Sequence, residues 1–410
     1  MKKIYIILMF LVVFISGNPA IEVLSKEVAY IGSLFIFLFF WWRRPLSLNN
    51  NDRLVFVIFF ILIMVHVLNF GAIVINASLG FMVNLSIAML AIKLIPRFSY
   101  NYVGLMYFLA LISFLFWVPL LFGVDMQGFF SAIRIPINSD VHYHIGFYNL
   151  REEYDGSVRN MGMFWEPGAF AGYLILALFL LMRGGNFNAV WSKKGLVLIS
   201  ALLSTKSTTG YIAFMLLAVF YAYNSALIKG KFVKLIFLPI FFFTTVGVSY
   251  VATNELSFLG EKIEDQLKSA SVRDDSSKIN RFGNFLYDLE WIDKRPLLGW
   301  SANPATRFSI DGDAAELVNG QGNGLTGFAV KFGLIGLLIF IGFAARTIYR
   351  ITGSVTDSFF GVAIVCVLLN GEQFLNFPMF LSLLFVPYEN IRLINGRRIA
   401  DVQGLGKSQR

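Results

Sequence analysis

Positive charge alternates along this chain between apolar segments, and this alternation constrains the fold more than any other feature. Twelve segments are apolar enough to be membrane helices, if the two shortest are allowed. They are 3–17, 28–42, 54–68, 71–92, 102–123, 163–182, 195–205, 209–227, 234–252, 324–345, 358–370 and 374–391. Lys and Arg gather on every second connection, as at Arg43-Arg44, Lys193-Lys194 and Arg346. Because basic residues in short loops stay cytoplasmic, both termini are predicted to face the cytoplasm.

Composition excludes the ordinary soluble classes. The chain is 57% hydrophobic and 14% charged, whereas soluble domains carry about a quarter charged residues. Most of the net charge of +9 lies on the cytoplasmic connections, so it indicates topology and not nucleic-acid binding. The one cysteine, Cys366, excludes an intrachain disulfide and a thiolate metal cluster. His142-Tyr-His144 has no third ligand nearby in the sequence, so no metal site is predicted.

The predicted fold is an all-α polytopic membrane protein of about 12 transmembrane helices, forming a single integral-membrane domain over residues 1–410. Continuous Phe, Leu and Ile runs differ from the alternating pattern of an outer-membrane barrel. Met1-Lys2-Lys3 before the first apolar run also fits a secretory signal peptide, but a retained first helix keeps the number of helices even. Lys206 interrupts an apolar run, so Ser204–Thr209 is either a helix end or a re-entrant turn.

Two long connections, 124–162 and 253–322, are predicted to lie outside the cytoplasm, and function is expected there. In the second, 253–268 is amphipathic and suited to a membrane surface, while 280–293 repeats apolar residues at helical spacing before Pro296. A long loop with helices of its own is more typical of a lid or a substrate-binding element than of a linker.

Cations in these outer connections fit the recognition of phosphate, because arginine binds phosphate through two parallel donors. The candidates are Arg134, Arg159, Lys206, Arg281 and Arg295. Pairing with loop carboxylates or contact with lipid headgroups would explain the same residues. Glu166, followed by Pro167 and an apolar run, fits either an acid at a helix N-terminus or a general base.

Aromatic and amide side chains complete the candidate site. Trp165 and Trp300 fit stacking on sugar rings or anchoring at a membrane interface. The stretch Asn319-Gly-Gln321-Gly-Asn323-Gly fits a backbone nest for phosphate, or simply a glycine-rich approach to a helix.

Four motifs in order resemble the O-antigen ligase and polymerase superfamily. They are Arg159-x-x-Gly-x-Phe-x-x-Pro167, the Ser/Thr-rich turn around Lys206, Arg281…Trp291…Pro296-Leu-Leu-Gly-Trp300, and Asn323-x-Leu325…Gly333-Leu-Ile-Gly336. The resemblance implies a GT-C-like, metal-independent glycosyltransferase without a cofactor. It also implies that Arg159 and Arg281 are the functional arginines and Lys206 the cation of the turn. Ligases of the family carry a histidine before the asparagine of the fourth motif. Gln321 precedes Asn323 here, which favours a Wzy-type polymerase and leaves the base unassigned.

The expected protein is therefore a polymerase of the bacterial inner membrane with a periplasmic active site. The resemblance implies that it joins undecaprenyl-pyrophosphate-linked repeat units into O-antigen or a related surface polysaccharide. The expected catalytic residues are Arg159, Arg281 and Glu166, and the expected substrate-binding residues are Lys206, Arg134, Arg295, Asn323, Gln321, Trp165 and Trp300. Expected partners are lipid-linked donor and acceptor glycans and membrane lipids, with room for a chain-length regulator. The alternatives are a ligase acting on lipid A core and, from another class, a lipid-linked oligosaccharide flippase. Helices nearly free of charge favour an enzyme over a transporter.

Overall fold

The computed structural model is mostly helical, and it describes residues 2–23, 25–44, 48–137, 142–151, 158–183, 186–224, 281–308 and 323–387. The helices are α1 (Lys2–Gly17), α2 (Ala20–Val23), α3 (Lys26–Arg43), α4 (Asn50–Phe70), α5 (Ile75–Leu94), α6 (Phe98–Leu121), α7 (Met126–Phe129), α8 (Pro167–Leu181), α9 (Lys193–Ser204), α10 (Thr208–Asn224), α11 (Arg281–Lys294), α12 (Ala305–Phe308), α13 (Gly324–Thr352), α14 (Val355–Gly371) and α15 (Pro378–Leu381). Short 3₁₀ turns cover Gly71–Val74, Phe187–Trp191, Phe374–Asn376 and Ser382–Leu384.

Most of the predicted apolar segments are helical where they are described. This holds for the segments from 3–17 to 209–227 and for 324–345 and 358–370. The helical spacing at 280–293 is likewise confirmed by α11. The predicted helix at 234–252 and the amphipathic segment 253–268 lie outside the described residues.

Three helical stretches are long and apolar enough to cross a membrane: Asn50–Leu94, Phe98–Leu121 and Gly324–Thr352. The apolar helices α1, α8 and α14 are shorter than the roughly 20 residues that span a bilayer upright. Large apolar side chains are exposed on several helices, among them Phe35, Leu68, Leu115 and Leu338. Apolar surface of this extent is suited to lipid, so the chain has the character of a membrane protein.

Helices α4 and α5 form an antiparallel hairpin. Gly71 ends α4 with a φ of +70°, in the left-handed region that glycine adopts readily. Asp52, near the start of α4, pairs with Lys93, near the end of α5, at 2.8 Å. Lys93 Nζ also donates to the carbonyl of Val386 at 2.8 Å. This buried pair marks one end of the helical assembly, which we call the Asp52 end.

Helix α8 is enclosed by protein, with every side chain from Pro167 to Leu180 buried. It packs against α6, α9 and α10. Gly172 permits close packing, since a Cβ there would collide with the ring of Phe374, and small residues let helices in a membrane approach one another. The Tyr173 hydroxyl donates to the carbonyl of Ser16 at 2.7 Å and ties α8 to α1.

The all-α prediction missed a small antiparallel sheet in the first long loop. Strands β1 (Ile135–Pro136), β2 (His142–His144) and β3 (Asn149–Arg151) pair in that order, with Tyr143 opposite Pro136 and Leu150. Tyr148 and Leu150 are buried against Met126 of α7. Strands of two or three residues are too short to show an alternating pattern of apolar and polar residues. Hydrophobic periodicity therefore could not have predicted them.

The predicted continuous helix at 374–391 is wrong over its described part. The chain from Phe374 to Leu384 instead forms a 3₁₀ turn, the single turn α15 and a second 3₁₀ turn. Pro378 lacks the N–H that a continuing helix requires. The segment from Pro378 to Pro387 is buried by protein, and irregular backbone at membrane depth is tolerated in such surroundings.

Helix α13 breaks at Gly333, where φ is +70° and ψ is 175°. The segment 296–301 runs beside the break and supplies the hydrogen bonds that the helix loses. Leu334 and Ile335 donate to the carbonyls of Pro296 and Leu297, and the carbonyls of Val330 and Lys331 accept from Trp300 and Ser301. The Pro-Leu-Leu-Gly-Trp and Phe-Gly-Leu-Ile-Gly motifs therefore meet through backbone hydrogen bonds, and their contact sets the direction of the first part of α13.

Candidate functional site

Four parts of the chain meet at the end of the assembly opposite the Asp52 end. They are the start of α8, the turn between α9 and α10, the start of α13 and the chain that follows α14. Trp165 Nε1 donates to Glu372 Oε2 at 3.2 Å, and Asn323 Nδ2 donates to Asn370 Oδ1 at 3.2 Å. An ideal Cβ at Gly168 would stand 2.5 Å from Glu372 Oε1, so this carboxylate lies against the first turn of α8. We call this the Glu372 end.

Arg159 and the turn that carries Lys206 are brought together by the fold. Arg159 Nε donates to the carbonyl of Thr205, and its Nη2 donates to the carbonyl of Lys206, both at 3.1 Å. Lys206 has a φ of +48°, an unusual conformation for a residue with a Cβ. The two hydrogen bonds from the guanidinium therefore stabilise a turn whose backbone conformation is unfavourable for a residue with a Cβ.

Asn160 anchors the same loop more deeply. Its side chain is fully buried and donates from Nδ2 to the hydroxyls of Ser113 and Ser204, both at 2.9 Å. Its backbone N–H donates to the carbonyl of Ser204 at 3.0 Å. These bonds satisfy buried polar groups and fix the loop before α8 against α6 and α9.

Two carboxylates lie at the N-terminus of α8, and only one was predicted. Glu166 occupies the N-cap position with Pro167 at the first helical position, as expected, but its side chain accepts no capping hydrogen bond. Glu372 is buried beside Trp165 and Gly168, where the positive end of a helix dipole favours a negative charge. Both acids therefore lie at the end of α8 where negative charge is favoured.

A polar cleft opens beside the start of α13. This narrow cleft is lined by Asn323, Gly324, Gly327, Phe328, Lys331, Gln373, Leu375 and Asn376. One wall is a chain of hydrogen bonds in which Lys331 Nζ donates to Asn376 Oδ1 at 2.8 Å and Asn376 Nδ2 donates to Gln373 Oε1 at 2.6 Å. A larger cavity of about 370 Å³, between α8, α13 and α14, is lined by apolar residues such as Phe179 and Leu368 and offers no groups for chemistry.

Asn323 lines the cleft and also begins α13. Its Oδ1 accepts from the backbone N–H groups of Leu325 and Thr326 at 3.0 and 3.1 Å, the usual arrangement of an N-cap asparagine. The fourth motif therefore works as a helix start. Gln321, predicted to bind substrate with it, lies outside the described residues.

Behind the cleft lies a buried charged cluster on α11, α12 and α13. Asp288 is 1% exposed, and its Oδ2 accepts from the hydroxyl of Thr326 at 2.6 Å. Arg307 is fully buried and interacts electrostatically with Asp288, as does Lys331. Burial raises the pKa of Asp288 to about 6, although the bond from Thr326 and the two cations oppose the rise. A carboxyl group of this kind accepts a proton more readily than ordinary aspartate does.

Other predicted site residues lie elsewhere. Arg134 is over the ring of Tyr143, 4.1 Å from its centroid, in the first long loop. The Arg295 guanidinium carbon lies 4.6 Å from the centroid of the Phe70 ring and 4.7 Å from that of Trp300. Arg281 begins α11, and its side chain is not among the described groups.

Trp300 is packed in a way that conflicts with stacking on a sugar. It is 5% exposed, lies edge-on to Trp291 at 5.0 Å and stacks on Phe70 at 6.1 Å. Its Nε1 donates to the carbonyl of Trp291 at 2.9 Å. The ring is a core element of the α11–α13 contact. Trp165 is half-buried beside Phe377, at 4.9 Å, and remains the better candidate for a sugar contact.

His144, for which the sequence predicted no metal site, makes contacts within the protein. Its Nε2 lies 3.2 Å from the carbonyl of Met163, and its Nδ1 accepts from the N–H of Gly146 at 2.9 Å. Within the described ranges, no group of three or more His, Cys, Asp or Glu side chains is arranged to hold a metal ion.

Sequence reasoning missed Asp288, Lys331, Glu372 and Asn376. A weak signal existed for two of them. Lys331 is a charge inside an apolar segment, and Glu372 is an acid between two apolar segments; such residues are costly in a membrane unless they pair or function. Asp288 could not be predicted, because in the sequence it looks like any polar residue on the exposed face of an amphipathic helix.

No protein-family model matches this chain, and the search of curated proteins returns no match. The fold and the site therefore define the class by themselves. It is a helical protein of membrane character with a buried, polar, charged cleft at one end.

Proposed function

We propose that this protein is a polysaccharide polymerase of the bacterial inner membrane. It transfers a growing glycan from its undecaprenyl pyrophosphate carrier to the non-reducing end of another lipid-linked repeat unit, without a metal. The full chain has about 12 transmembrane helices in a GT-C-like arrangement. Both termini are cytoplasmic, and the Glu372 end is periplasmic.

The observation that carries this proposal is the convergence of three family-like motifs. The motif at 159–167, the turn at 204–211 and the start of α13 at Asn323 are far apart in the sequence and meet at the Glu372 end. The resemblance to the O-antigen polymerases and ligases rested on the order of these motifs alone. Their meeting at one end of the molecule supports one common site.

The chemistry required of such a site fits cations and polar groups. Pyrophosphate is a good leaving group, and fixed positive charges can stabilise the charge that develops on it. Arg159, Arg281 and Lys206 supply these charges in the proposal. Arg159 acts either on phosphate directly or by holding the turn that presents Lys206.

The test is polymerisation by the purified protein. The full chain in detergent and EDTA is incubated with undecaprenyl-pyrophosphate-linked repeat units from the host strain, and the products are separated on a gel. We expect a ladder of lengths that Arg159→Ala and Arg281→Ala each reduce on the order of 10²-fold, as for loss of one preorganised donor. Arg53→Ala, an exposed arginine at the Asp52 end, is the control.

A wild-type protein that forms no ladder from its native repeat unit contradicts the proposal. Transfer of the same glycan to a lipid A core acceptor would then identify a ligase. Movement of the lipid-linked unit across vesicles containing only this protein would identify a transporter.

A further inference from the structure

The first long loop is apolar where it leaves α6. Residues 122–133 carry one charge, Asp125, and its carboxylate accepts from the backbone N–H of Gly128 at 2.8 Å as the cap of α7. Phe122 and Phe129 of this segment are 81% and 76% exposed. Large apolar side chains exposed in a segment with so little charge indicate an apolar partner and not bulk water.

An exposed face of α6 leads directly into this segment. Its side chains recur at helical spacing, and they are Phe108, Leu111, Leu115 and Val118. Helix α6 is long and apolar enough to cross a membrane, so this face is suited to lipid. Phe122 follows Val118 by four residues and continues the same face beyond the end of the helix.

The loop packs beside the last turns of α6 and not beyond them. The ring centroid of Phe116 lies 5.7 Å from that of Phe130 and 5.3 Å from that of Tyr148. Phe116 precedes the last residue of α6, Leu121, by about 7 Å along the helix axis. The exposed ring of Phe129 adjoins Phe130 at 4.9 Å. Phe129 is therefore one ring away from a side chain within the membrane-crossing helix.

The turn between β2 and β3 makes a similar contact with α1. Asn18, just after the end of α1, donates from Nδ2 to the carbonyl of Gly146 at 3.0 Å. The exposed ring of Phe147 then lies 5.9 Å from that of Phe10. Phe10 precedes the last residue of α1, Gly17, by about 10 Å along the helix axis. This turn therefore also lies alongside an apolar helix.

We infer that residues 122–133 and the turn 145–148 are inserted into the lipid leaflet at the Glu372 end. The rings of Phe122, Phe129 and Phe147 contact the acyl chains there. Lipid fits these rings better than a second copy of the chain does, because they continue the exposed face of α6 and lie at the depth of α1 and α6. The inference does not depend on the proposed polymerase activity.

The polar side chains of this loop fit the boundary between lipid and water. The Arg134 guanidinium lies over the ring of Tyr143, 4.1 Å from its centroid. Tyrosine is enriched at the level of lipid headgroups, and arginine reaches that level with its charged end while its stem stays in apolar surroundings. Ile133, next to Arg134, then borders water.

Insertion of this loop would set the depth of the candidate site. Asn149 of β3 donates from Nδ2 to the carbonyl of Phe164 at 2.8 Å, and Nε2 of His144 lies 3.2 Å from the carbonyl of Met163. The small sheet thus holds the segment that leads into α8. The Glu372 end is thereby held at the level of the lipid headgroups, where a ligand anchored in the membrane can reach it without crossing water.

Nitroxide labels on single cysteines test the inference. The full chain in a Cys366→Ser background is labelled at Phe129→Cys or Phe147→Cys and placed in vesicles of phosphatidylethanolamine and phosphatidylglycerol. Electron paramagnetic resonance then compares collisions of the label with oxygen, which concentrates in lipid, and with a water-soluble nickel chelate. Leu115→Cys, on the exposed face of α6, is the lipid reference, and Asp293→Cys, exposed on α11, is the water reference.

We expect the ratio of oxygen to nickel collisions at Phe129 and Phe147 to exceed that at Asp293 several-fold and to approach that at Leu115. The two positions test the two segments separately. A ratio like that at Asp293 would show that the segment stands in water and would overturn the inference for it. Few collisions with either reagent would show that protein covers the segment, such as a second copy, and would overturn it too.

The labels replace exposed side chains, so the labelled proteins should fold. Phe122→Cys repeats the measurement on the first segment if the label at position 129 prevents recovery of folded protein. The result is independent of the gel assay, because the label reports lipid contact whether or not the protein forms polymer.

Discussion

At the scale of single residues, Asp288 makes the stability of the protein depend on pH in a defined direction. Burial raises its pKa from the ordinary value of 3.8 to about 6, so the folded state binds this proton more tightly than the unfolded state does. The stabilisation from protonation is therefore complete below about pH 4 and is lost as pH rises through about 6.

We expect acidification to stabilise wild type relative to Asp288→Asn. The difference in unfolding free energy should change by roughly 1–3 kcal/mol between pH 7.5 and pH 4, from about 1.4 kcal/mol per pKa unit. Thermal unfolding of both proteins in detergent at several pH values measures it. A difference that stays constant with pH would show that Asp288 titrates normally.

Arg159 is the second residue whose role depends on geometry. Arg159→Lys keeps the charge, but an ammonium group cannot reproduce the planar fork that reaches the carbonyls of Thr205 and Lys206. We expect this variant to lose about 1.5–3 kcal/mol of stability, the usual worth of a charged hydrogen bond, and most of its polymerisation. Thermal melting beside the gel assay checks both. Full activity in Arg159→Lys would mean that the positive charge alone suffices and that the hydrogen bonds to the carbonyls of Thr205 and Lys206 are not required.

At the scale of elements, the break in α13 depends on Gly333. Its φ of +70° is unfavourable for residues with a Cβ, and an alanine Cβ would collide with the carbonyl of Leu297. Gly333→Ala should therefore cost at least about 2 kcal/mol, a typical strain for such a backbone. Loss of folded protein in size-exclusion chromatography is the measurement. Gly342→Ala, with open space around it on the same helix, should elute as wild type does.

The α4–α5 hairpin depends on its buried ion pair. Lys93→Met leaves the Asp52 carboxylate buried without its partner, which typically costs about 3–5 kcal/mol. The double variant Asp52→Asn/Lys93→Met removes both charges and should recover much of this loss. Unfolding free energies of wild type, Asp52→Asn, Lys93→Met and the double variant give the coupling. If the double variant is less stable than Lys93→Met alone, the pair does not act as a unit.

The sequence predicts that these helices form, but it does not predict where they break. Apolar length and charge placement predict α4, α5, α6 and α13 directly. The turns after Phe374 and the break at Gly333 are set by neighbours: buried backbone around Pro378, and the 296–301 segment that takes over the hydrogen bonds of α13.

At the scale of the whole molecule, the charge pattern makes a prediction about sidedness. In a Cys366→Ser background, Ile133→Cys in the first long loop and Trp191→Cys between α8 and α9 place single thiols on exposed positions. A membrane-impermeant maleimide should label the first in spheroplasts and the second only after lysis. The reverse result would place the Glu372 end in the cytoplasm and exclude a periplasmic site.

The sequence by itself determined the helical class and the membrane character, and it named Arg159 and Lys206 as cations of one site as a hypothesis. These depend on local quantities: apolar length, the placement of charge and the order of motifs. The tertiary structure alone decided that Asp288, Arg307 and Lys331 share one buried cluster beside a carboxamide cleft. It also decided that Trp300 belongs to the core. The physical reason is that the packing of helices distant in the sequence decides which polar groups are buried together. Helical periodicity within one segment does not identify the helix against which that segment packs.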